Sequence, residues 1–379
     1  MVKTGKKANG KKGFIRKTLY KILLGINILV ALSLLISYIS INISPEDFLL
    51  PAFFGLAYPY ILFLNFILVI IWALNLKVEA FISLIVIALG ITHLSNFVRF
   101  GKAKTDVEGT FKVLSYNVRL FNYYENPRDK ESEKKMLELI RKEQPDIVCI
   151  QEYFISGSPS LKDAEIKKAL GGKYYSHVKL IGISGNRYYG IATYTKYQII
   201  KMGDIIHPRS SSLTIYTDVL IKKDTFRIFN NHLQSYGLKR MDRSLLEELS
   251  AAGDNQTMSE IKSVSSSLST GFIKRAVQAD KVKEQIGKSP YPVMVIGDFN
   301  DTPISYSYRK IRKGLNDAFV KAGHGAGFTY RGYYPANRID FLLYDNSLEC
   351  SSFDIIKVKY SDHYPIIGYF KKTVKKEAS

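Results

Sequence analysis

The segment YPVMVIGDFNDTP, residues 291–303, is the clearest indication of how this chain folds. Its apolar run, residues 293–296, is rich in β-branched side chains and predicts a buried strand. Asp298 and Asn300 follow that run, and residues two apart on an extended chain point to the same side. Pro303 then prevents the strand from continuing. A carboxylate and an amide at one strand end suit a hard metal ion and a phosphate, although Gly-Asp-x-Asn is also ordinary turn chemistry.

The composition describes a basic chain with enough apolar residues for a large core. It has 379 residues, 46% hydrophobic and 13% aromatic, and a formal net charge of +20. This length predicts two parts rather than one average domain. The charge is compatible with a phosphate-bearing or polyanionic substrate or with an anionic membrane surface, and it does not choose between them. The two cysteines, Cys149 and Cys350, make no disulfide framework.

Three apolar runs near the N-terminus predict three transmembrane helices. They cover residues 22–44, 48–76 and 80–98, and each reaches the length of about 18 residues that spans a bilayer. A secretory signal peptide is the alternative for the first run, and buried helices of a soluble protein are the alternative for all three. Long runs without a charge are rare in soluble cores, which favours membrane spans.

The charges flanking these runs predict an orientation. Residues 1–21 form a basic leader without an acidic residue, expected to lack regular structure and to stay in the cytoplasm. Three crossings then place the rest of the chain outside the cytoplasm, as an integral protein of a bacterial inner membrane. Pro51 and Pro59 lie in the second run, which is long enough to bend back, and such a bend would reverse the orientation.

The remaining chain alternates predicted strands and helices. A short linker, residues 99–110, leads into an α/β domain over residues 111–372, and a basic tail covers residues 373–379. We expect a layered sandwich with polar residues at strand ends. The predicted strands cover residues 111–118, 146–151, 174–181, 188–194, 214–221, 225–230, 293–296, 338–344 and 366–370; the predicted helices cover residues 131–142, 161–170, 245–249 and 273–286.

Polar residues recur where these predicted strands begin or end. Any one of them has an ordinary explanation: Glu152 could cap a helix, His232 could be a core histidine, and Asp340 could pair with Arg338. Burying so many carboxylates together without a metal or phosphate partner would be costly, which favours a common site. The residues are Asn117, Glu152, His232, Asp298, Asn300, Asp340, Asp362 and His363.

These residue types assemble into one chemistry, the hydrolysis of a phosphoric ester. Glu152 would hold a divalent metal ion that polarises a phosphoryl oxygen. Asp298 would orient or deprotonate the attacking water. His363 beside Asp340, and His232 from another side, would stabilise the extra charge on phosphorus. Oxygen ligands around Glu152 indicate Mg²⁺ or Mn²⁺, since zinc would require more clustered histidine or cysteine ligands.

The amides complete this predicted chemistry. Asn117 and Asn300 would hydrogen-bond phosphate oxygens or the Asp298 carboxylate, and His232 would also contact the phosphate. No glycine-rich phosphate loop of the P-loop kind and no internal repeat is present in the sequence.

The order of these motifs resembles the endonuclease/exonuclease/phosphatase superfamily. That group includes deoxyribonuclease I-like nucleases, abasic-site endonucleases, inositol-polyphosphate 5-phosphatases and neutral sphingomyelinases. The resemblance covers residues 111–370 and leaves residues 1–98 uncovered. It is carried, in chain order, by YNV, QE, GIATYTKY, NNHL, GDFN, RIDFLL and SDHYP.

The resemblance implies a four-layer α/β sandwich of two packed mixed sheets flanked by helices. It implies metal binding at Glu152 with Asn117 close by and Asp362 beside the metal. It also implies Asp298 and Asn300 at the catalytic water and phosphate, and a pair formed by His363 with Asp340.

Two departures separate the chain from the abasic-site branch. That branch has an acidic residue two positions after the first-strand asparagine, where this chain has Arg119. Its middle-strand tyrosine is replaced by His232. The pattern is closer to the sphingomyelinase, phosphatase and deoxyribonuclease I branches, so specific abasic-site repair is not expected.

Two further pairs of residues are candidate substrate contacts. Arg275 and Gln278 lie in the insertion between the His232 and Asp298 strands, where ordinary helix packing is the favoured alternative. Tyr330 and Arg331 precede the Asp340 strand, where a plain loop is equally compatible with the sequence.

The sequence therefore predicts a membrane-anchored, metal-dependent phosphoesterase. Its substrate would be a phosphodiester or phosphomonoester, either a lipid head group, favoured by tethering at a bilayer, or a nucleic acid, favoured by the positive charge. No motif indicates an obligate protein partner. The alternative is a non-catalytic, membrane-tethered scaffold that retains the fold.

Overall fold

The structure is a computed structural model that describes residues 5–100, 108–123, 131–183, 185–208, 210–236, 255–332 and 337–373. Most of the predicted linker, the predicted helix at residues 245–249 and nearly all of the basic tail lie outside these ranges.

Five helices form an N-terminal bundle, here called the helical unit (residues 5–97). They are α1 (Gly5–Ile39), α2 (Leu50–Leu56), α3 (Tyr58–Leu74), α4 (Ala80–Leu89) and α5 (Ile91–Leu94). The leader is helical from Gly5 onward, which corrects the expectation that it lacks regular structure.

The expectation of three transmembrane helices is wrong. Among the described residues, only α1 (over Phe14–Ile39, 26 residues) is by itself long and apolar enough to cross a membrane. The second apolar run is broken into α2 and α3, which meet at an angle of 68° and pass the same test only as a pair. Pro59 explains the break, because a proline inside a continuous helix has no N–H to donate and clashes with the preceding turn.

The third apolar run is also shorter as a helix than its sequence indicates. It forms α4, of 10 residues, and the single turn α5, which are separated at Gly90. The Tyr38 ring of α1 packs against Gly90 so closely that a Cβ there would overlap it. The run therefore supplies a shorter apolar helix, packed beside α1.

The rest of the described chain, here called the sandwich domain, contains two six-stranded sheets and a small two-stranded sheet of β1 (Val98–Arg99) with β11 (Gly325–Ala326). The strands of the two large sheets are β2 (Phe111–Asn117), β3 (Ile147–Ser156), β4 (Tyr175–Gly182), β5 (Arg187–Thr195), β6 (Gln198–Ile205), β7 (Leu213–Ile221), β8 (Asp224–His232), β9 (Val293–Asp298), β10 (Asn316–Asp317), β12 (Asp340–Tyr344), β13 (Leu348–Ile355) and β14 (Ile366–Lys372). One large sheet has the strand order β10-β12-β9-β8-β7-β6, and the other has the order β13-β14-β2-β3-β5-β4. Each contains one parallel pair, β8 with β9 and β2 with β3, and both sheets are therefore mixed. Helices flank them, as expected for an α/β sandwich.

Most predicted strands are present, but the sequence did not predict β6 or β13, and β3 continues past its predicted end at residue 151. The helix predicted over residues 273–286 is longer and begins at Asn255. The further helices are α6 (Glu131–Glu143), α7 (Pro159–Ala169), α8 (Asn255–Gly287), α9 (Tyr306–Arg312) and α10 (Ala318–Ala322).

The core lies between the sheets and under the flanking helices. The inner faces meet through Val113, Cys149, Ile228 and Met294, all with no exposed surface. Cys149 and Cys350 are buried free thiols. Burial of these apolar residues, at about 25 cal/mol per Å² of area removed from water, is the main force that holds the two sheets together.

Candidate active site

Three predicted site residues lie side by side at one end of a sheet. In the register of that sheet, His232 on β8 is opposite Asp298 on β9, and Asp298 is opposite Asp340 on β12. Asn117 ends β2 in the other sheet and reaches across to Asp298. Strands far apart in sequence therefore deliver their terminal polar residues to one place.

Asp298, only 1% exposed, lies at the centre of this cluster. Its Oδ2 accepts a hydrogen bond from Asn117 Nδ2 at 2.9 Å, and its Oδ1 accepts one from the Asn300 backbone N–H at 2.7 Å. Its carboxylate also lies 3.7 Å from His363 Nε2 and 3.8 Å from His232 Nε2. The cluster is thus organised around one buried carboxylate.

The pKa of Asp298 is raised to about 6. Burial is the largest cause, and the nearby negative charge of Asp340 adds to it, whereas His363 acts in the opposite direction. Asp298 is therefore ionised at neutral pH but basic enough to accept a proton.

The backbone around Asp298 requires glycine at position 297. Gly297 has a φ of +124°, and a Cβ at this position would lie less than 3.0 Å from backbone atoms of Asn231 on β8. Asn300 has a φ of +51° and donates from Nδ2 to the Leu233 carbonyl at 3.0 Å. Such left-handed conformations at non-glycine residues cluster at functional sites.

The Asn117 amide links two carboxylates. Its Oδ1 accepts from the backbone N–H of Arg119 at 2.9 Å, and because that N–H can only donate, the amide orientation is determined. Its Nδ2 donates to Asp298 and also to Glu152 Oε1, at 3.3 Å. In this arrangement Asn117 presents hydrogen-bond donors to the site.

Glu152 lies in an irregularity of β3. The register against β5 shifts between Ile150 and Tyr153, and Glu152 has a φ of +50°. A β-bulge turns one side chain out of the normal alternation, and here it directs Glu152 toward the other site residues. Burial, followed by the negative charge of Asp362, raises the pKa of Glu152.

His363 and Asp340 form a buried pair. His363 Nδ1 lies 2.9 Å from Asp340 Oδ2, and both residues are less than 5% exposed. Burial alone would lower the pKa of His363, but Asp340 and Asp298 outweigh it and raise that pKa well above its usual value. His363 is therefore an imidazolium at neutral pH, with Nε2 directed toward Asp298.

His232 is in the opposite charge state. Burial lowers its pKa, so that it is neutral at pH 7. Its Nδ1 lies 2.8 Å from the Tyr189 hydroxyl, and its Nε2 has no hydrogen-bond partner among the described residues. His232 therefore differs from the charged His363, and its unoccupied Nε2 lies 3.5 Å from Glu152 Oε1.

Asp362 reaches the site from the loop before β14. It forms an ion pair with Arg119, whose Nε lies 3.3 Å from Asp362 Oδ2. Arg119–Asn122 form a turn in which all four residues have positive φ, and Asn122 fastens it by donating to the Tyr360 carbonyl at 2.7 Å. The arginine that departs from the abasic-site pattern thus contacts a predicted metal-site residue.

Two groups of side chains are candidates for holding a metal ion. Asp298, Asp340 and His363 bring ligand atoms within 4.8 Å of one another, but the proton on His363 occupies the nitrogen lone pair that a metal would need. The second group is Glu152 with Asp362. The negative charge of Asp362 makes it harder for Glu152 to ionise and contributes to the raised pKa of Glu152. A divalent cation would compensate these two charges, so this oxygen donor set fits Mg²⁺ or Mn²⁺.

The other candidate contacts serve mainly to hold loops. Arg275 has no exposed surface, pairs with Asp301 at 3.1 Å and donates to the Gln234 carbonyl at 2.7 Å. Gln278 accepts from the backbone N–H of Gln234 at 2.8 Å. Both hold the loop that leaves His232.

Tyr330 and Arg331 lie nearer to the site. The ring of Tyr330 packs edge-on against that of His363, with centroids 5.0 Å apart. Arg331 is exposed and donates from Nη1 to the Ser361 carbonyl at 3.1 Å.

Sequence reasoning missed Tyr189 as a site residue. It lies on β5 and contacts His232 only because β5 and β8 face each other across the sandwich. No local pattern around a tyrosine in a strand signals such a contact. Arg338 was considered as a partner of Asp340, but it pairs with Asp317 instead.

Comparison with known proteins places this geometry in context. A family model described as "Endonuclease/Exonuclease/phosphatase family" matches residues 114–363, and a model of a domain of unknown function matches residues 20–97. No curated protein sequence matches the chain at a significant level.

Several solved structures are similar in fold. An endonuclease/exonuclease/phosphatase family protein from Bacteroides thetaiotaomicron is 18% identical, with a TM-score of 0.50 over 70% of this chain and 98% of that one. Humanized D. rerio TDP2 is 14% identical, with a TM-score of 0.50 over 69% and 99%. The human nocturnin catalytic domain is 18% identical, with a TM-score of 0.48 over 70% and 94%. At these identities the likenesses concern the fold.

Proposed function

The chain belongs to the endonuclease/exonuclease/phosphatase family and is a hydrolase of phosphoric ester bonds, and on this basis we propose that it is a membrane-anchored, divalent-metal-dependent phosphoesterase. The reaction is the in-line attack of water on a phosphodiester or phosphomonoester. The observation that carries this proposal is the convergence of Asn117, His232 and His363 on the buried carboxylate of Asp298.

Asp298 acts on the attacking water. A carboxylate whose pKa is about 6 is ionised at neutral pH, yet accepts a proton more readily than an ordinary aspartate. The hydrogen bonds from Asn117 and the Asn300 backbone fix both carboxylate oxygens, so the base is already oriented before substrate arrives.

His363 stabilises the charge that develops on the phosphoryl oxygens. Its partner Asp340 keeps it protonated and fixes the ring, so that Nε2–H is a charged donor in a buried site. Asn300 is a further donor able to contact phosphate oxygens, since its Nδ2 has a second hydrogen beside the one given to the Leu233 carbonyl. Tyr189 donates to the Ser211 carbonyl, so neutral His232 donates from Nδ1 to Tyr189 and its Nε2 is an acceptor. His232 would donate to a phosphate oxygen only after it gains a proton.

Glu152 and Asp362 would hold the metal ion, with Asn117 orienting Glu152 through its hydrogen bond to Oε1. The mutual repulsion of the two carboxylates, seen in the raised pKa of Glu152, is the property that a bound cation relieves. When bound, Mg²⁺ or Mn²⁺ would supply Lewis-acid polarisation of a phosphoryl oxygen.

The helical unit lies in a membrane. Most of the large apolar side chains exposed on the described chain belong to it, including Phe63, Leu74, Ile85 and Leu89. Its buried positions instead include polar residues that join the helices. Asn27 Nδ2 donates to the Glu79 carbonyl at 3.1 Å, Ser83 Oγ donates to Asn27 Oδ1 at 2.6 Å, and Asn65 Nδ2 donates to the Val30 carbonyl at 3.2 Å. Apolar exterior with polar interhelical bonds is the pattern of a membrane bundle.

The packing of α4 against α1 supports the expected orientation. Asn27, past the middle of α1, contacts Ser83 near the start of α4, and Tyr38, at the C-terminal end of α1, donates to the Val86 carbonyl farther along α4. The two helices therefore run in the same direction. The sandwich domain follows α5 and contacts Ser40, just past the C-terminal end of α1, so a membrane-spanning α1 separates it from the basic leader. With the leader in the cytoplasm, the catalytic domain lies outside.

The presence of the polar residues in one cluster argues against the alternative of a non-catalytic scaffold.

The proposed substrate of the enzyme is a phosphoric ester, and a lipid head group and a nucleic acid are the two classes to distinguish. Tethering raises the local concentration of a membrane-bound ester, whereas the net charge of +20 suits a polyanion.

The test uses the full-length protein in detergent with Mg²⁺ or Mn²⁺. Turnover of bis-p-nitrophenyl phosphate, plasmid DNA and phospholipid vesicles is compared between the unmodified protein, Asp298→Asn and the control Asp224→Asn, a surface residue paired with Lys372. We expect metal-dependent turnover that Asp298→Asn abolishes and Asp224→Asn leaves intact. Equal turnover in all three proteins would contradict the proposed site.

A further inference from the structure

The loop that leaves Asp298 and Asn300 rests on the helical unit. Ile304 belongs to an apolar cluster made otherwise of helical-unit residues, among them Leu34 and Tyr58. Ser40 Oγ, which is buried, lies 3.0 Å from the Ile304 carbonyl oxygen and 2.7 Å from the Ser37 carbonyl oxygen, so its one hydrogen is shared between the two.

Gly55 on α2 makes this contact possible. A Cβ at this position would lie less than 3.0 Å from both the Ile304 carbonyl oxygen and Ser40 Oγ. The backbone of the loop therefore touches the surface of α2 directly, and any larger residue at position 55 displaces one from the other.

The segment that leads into Asp340 is attached to the helical unit as well. Asn96, beyond α5, accepts from Arg312 Nη1 through its Oδ1 and from Arg338 Nη1 through its carbonyl, both at 2.9 Å. Arg338 is 1% exposed and is separated from Asp340 by a single residue. The Gly327 backbone N–H also donates to the Phe97 carbonyl at 2.8 Å.

A third contact reaches the loop that follows His232. Phe53 of α2 packs edge-on against Phe272 of α8, with ring centroids 5.2 Å apart. Phe272 in turn lies beside the buried guanidinium of Arg275, which pairs with Asp301 and bonds the Gln234 carbonyl. The helical unit thus contacts the segments that hold Asp298, Asp340 and His232 in place. The contact is either direct or passes through one intervening side chain.

We infer, on the basis of the proposed function, that the helical unit positions the catalytic loops in addition to anchoring the enzyme, with Gly55 and Ser40 as positioning residues that act through Ile304. The connection from Ile304 to Asn300 and Asp298 is short and held by a left-handed residue, so displacement of Ile304 moves the carboxylate that directs the attacking water. Errors of about 1 Å in such groups lower rates by up to about 100-fold.

Gly55→Ala and Gly25→Ala form a matched pair that tests this inference. Both substitutions add one methyl group within a helix of the helical unit, and both favour helix formation. No atom lies within 4 Å of the place that a methyl group on residue 25 would occupy, whereas Gly55 faces Ile304. Ser40→Ala and Ser33→Ala form a second, milder pair, because Ser33 bonds only the Leu29 carbonyl of its own helix among the contacts found for it.

The assay uses full-length protein in detergent with soluble bis-p-nitrophenyl phosphate, for which membrane tethering is irrelevant. We expect Gly55→Ala to lower kcat by about tenfold or more, with KM within about twofold, and Ser40→Ala to lower kcat less, while both controls keep the unmodified rate. Unchanged kcat in Gly55→Ala and Ser40→Ala would overturn the inference. If the helical unit served only as a membrane anchor, kcat with this soluble substrate would be the same in all variants.

Hydrogen–deuterium exchange of the segment 298–305 provides a readout that does not depend on turnover. Faster exchange in Gly55→Ala than in Gly25→Ala supports a positioning role, and equal exchange overturns it. If the unmodified protein hydrolyses no ester, the proposed function fails and exchange still decides the coupling. If Gly55→Ala does not fold, the same comparison is made between Ser40→Ala and Ser33→Ala.

Discussion

The charge states of Asp298 and His363 determine what each residue can do in the reaction. Asp298 has a pKa raised to about 6 by burial and must be ionised to act on water. His363, with its pKa raised by Asp340 and Asp298 against the effect of burial, must be protonated to donate. The two requirements are met together between these pKa values.

We therefore expect a bell-shaped dependence of kcat/KM on pH. Activity rises as Asp298 loses its proton near pH 6 and falls as His363 loses its proton, well above pH 6.5. Asp340→Asn removes the charge that holds the His363 proton, so the alkaline limb moves to lower pH. An alkaline limb that stays in place in Asp340→Asn, with Asp224→Asn as the control, would contradict the role of this pair.

Glu152 is the residue on which metal binding depends most. We expect millimolar Mg²⁺ or Mn²⁺ to raise the Tm of the unmodified protein, because a ligand that binds only the folded state stabilises it. Glu152→Gln, which keeps the shape and removes the charge, loses this shift, and Glu138→Gln on the exposed face of α6 keeps it. A full metal-induced shift in Glu152→Gln would place the ion elsewhere.

Individual site residues could be proposed from the sequence because each stands where an apolar run begins or ends. Their partners were not: Tyr189 contacts His232, and Arg119 contacts Asp362, across elements that no local pattern connects. Charge state was also hidden, because the burial that lowers the pKa of His232 exists only in the folded protein.

Among the secondary-structure elements, β9 is the one whose end is under the strongest backbone constraint. Gly297 combines a φ of +124° with a close approach to Asn231, while Gly314 has a φ of +85° and open space around it. The two positions therefore separate the cost of the conformation from the cost of the steric overlap.

We expect Gly314→Ala to lower the free energy of unfolding by about 1 kcal/mol, the cost of a non-glycine residue at positive φ. Gly297→Ala should cost on the order of 3 kcal/mol or more, because the methyl group also overlaps the β8 backbone. Denaturant titration of the two variants measures the difference. Equal destabilisation of the two variants would mean that β8 and β9 move apart to accommodate the methyl group at position 297 without a measurable cost.

Strands were easier to predict than the N-terminal apolar helices. β2, β8 and β9 end close to their predicted ends, because both faces of these strands are covered. β3 instead continues past its predicted end at residue 151 to Ser156, through the irregularity at Glu152. The apolar runs at residues 48–76 and 80–98 were read as continuous helices, but Pro59 and the packing of Tyr38 against Gly90 divide them.

For the molecule as a whole, the direction of α1 determines where the catalytic domain lies. We expect a C-terminal alkaline phosphatase fusion, which is active only outside the cytoplasm, to be active in a bacterial host. A fusion after Lys77, in the turn between α3 and α4, lies at the leader's end of the bundle and should be inactive. An active fusion after Lys77 and an inactive C-terminal fusion would mean that the catalytic domain lies in the cytoplasm.

The class of fold, the identity of the polar residues at the strand ends and the presence of an apolar N-terminal region could all be read from the order of the amino acids. These features depend on periodicity and on residue type, which are local properties. Folding in three dimensions was needed to establish which side chains carry a proton, which partner each histidine has, how the apolar runs break and which loops touch the helical unit. Those features depend on burial and on contacts between segments distant in sequence, such as Gly55 with Ile304, and such contacts arise only when the chain packs.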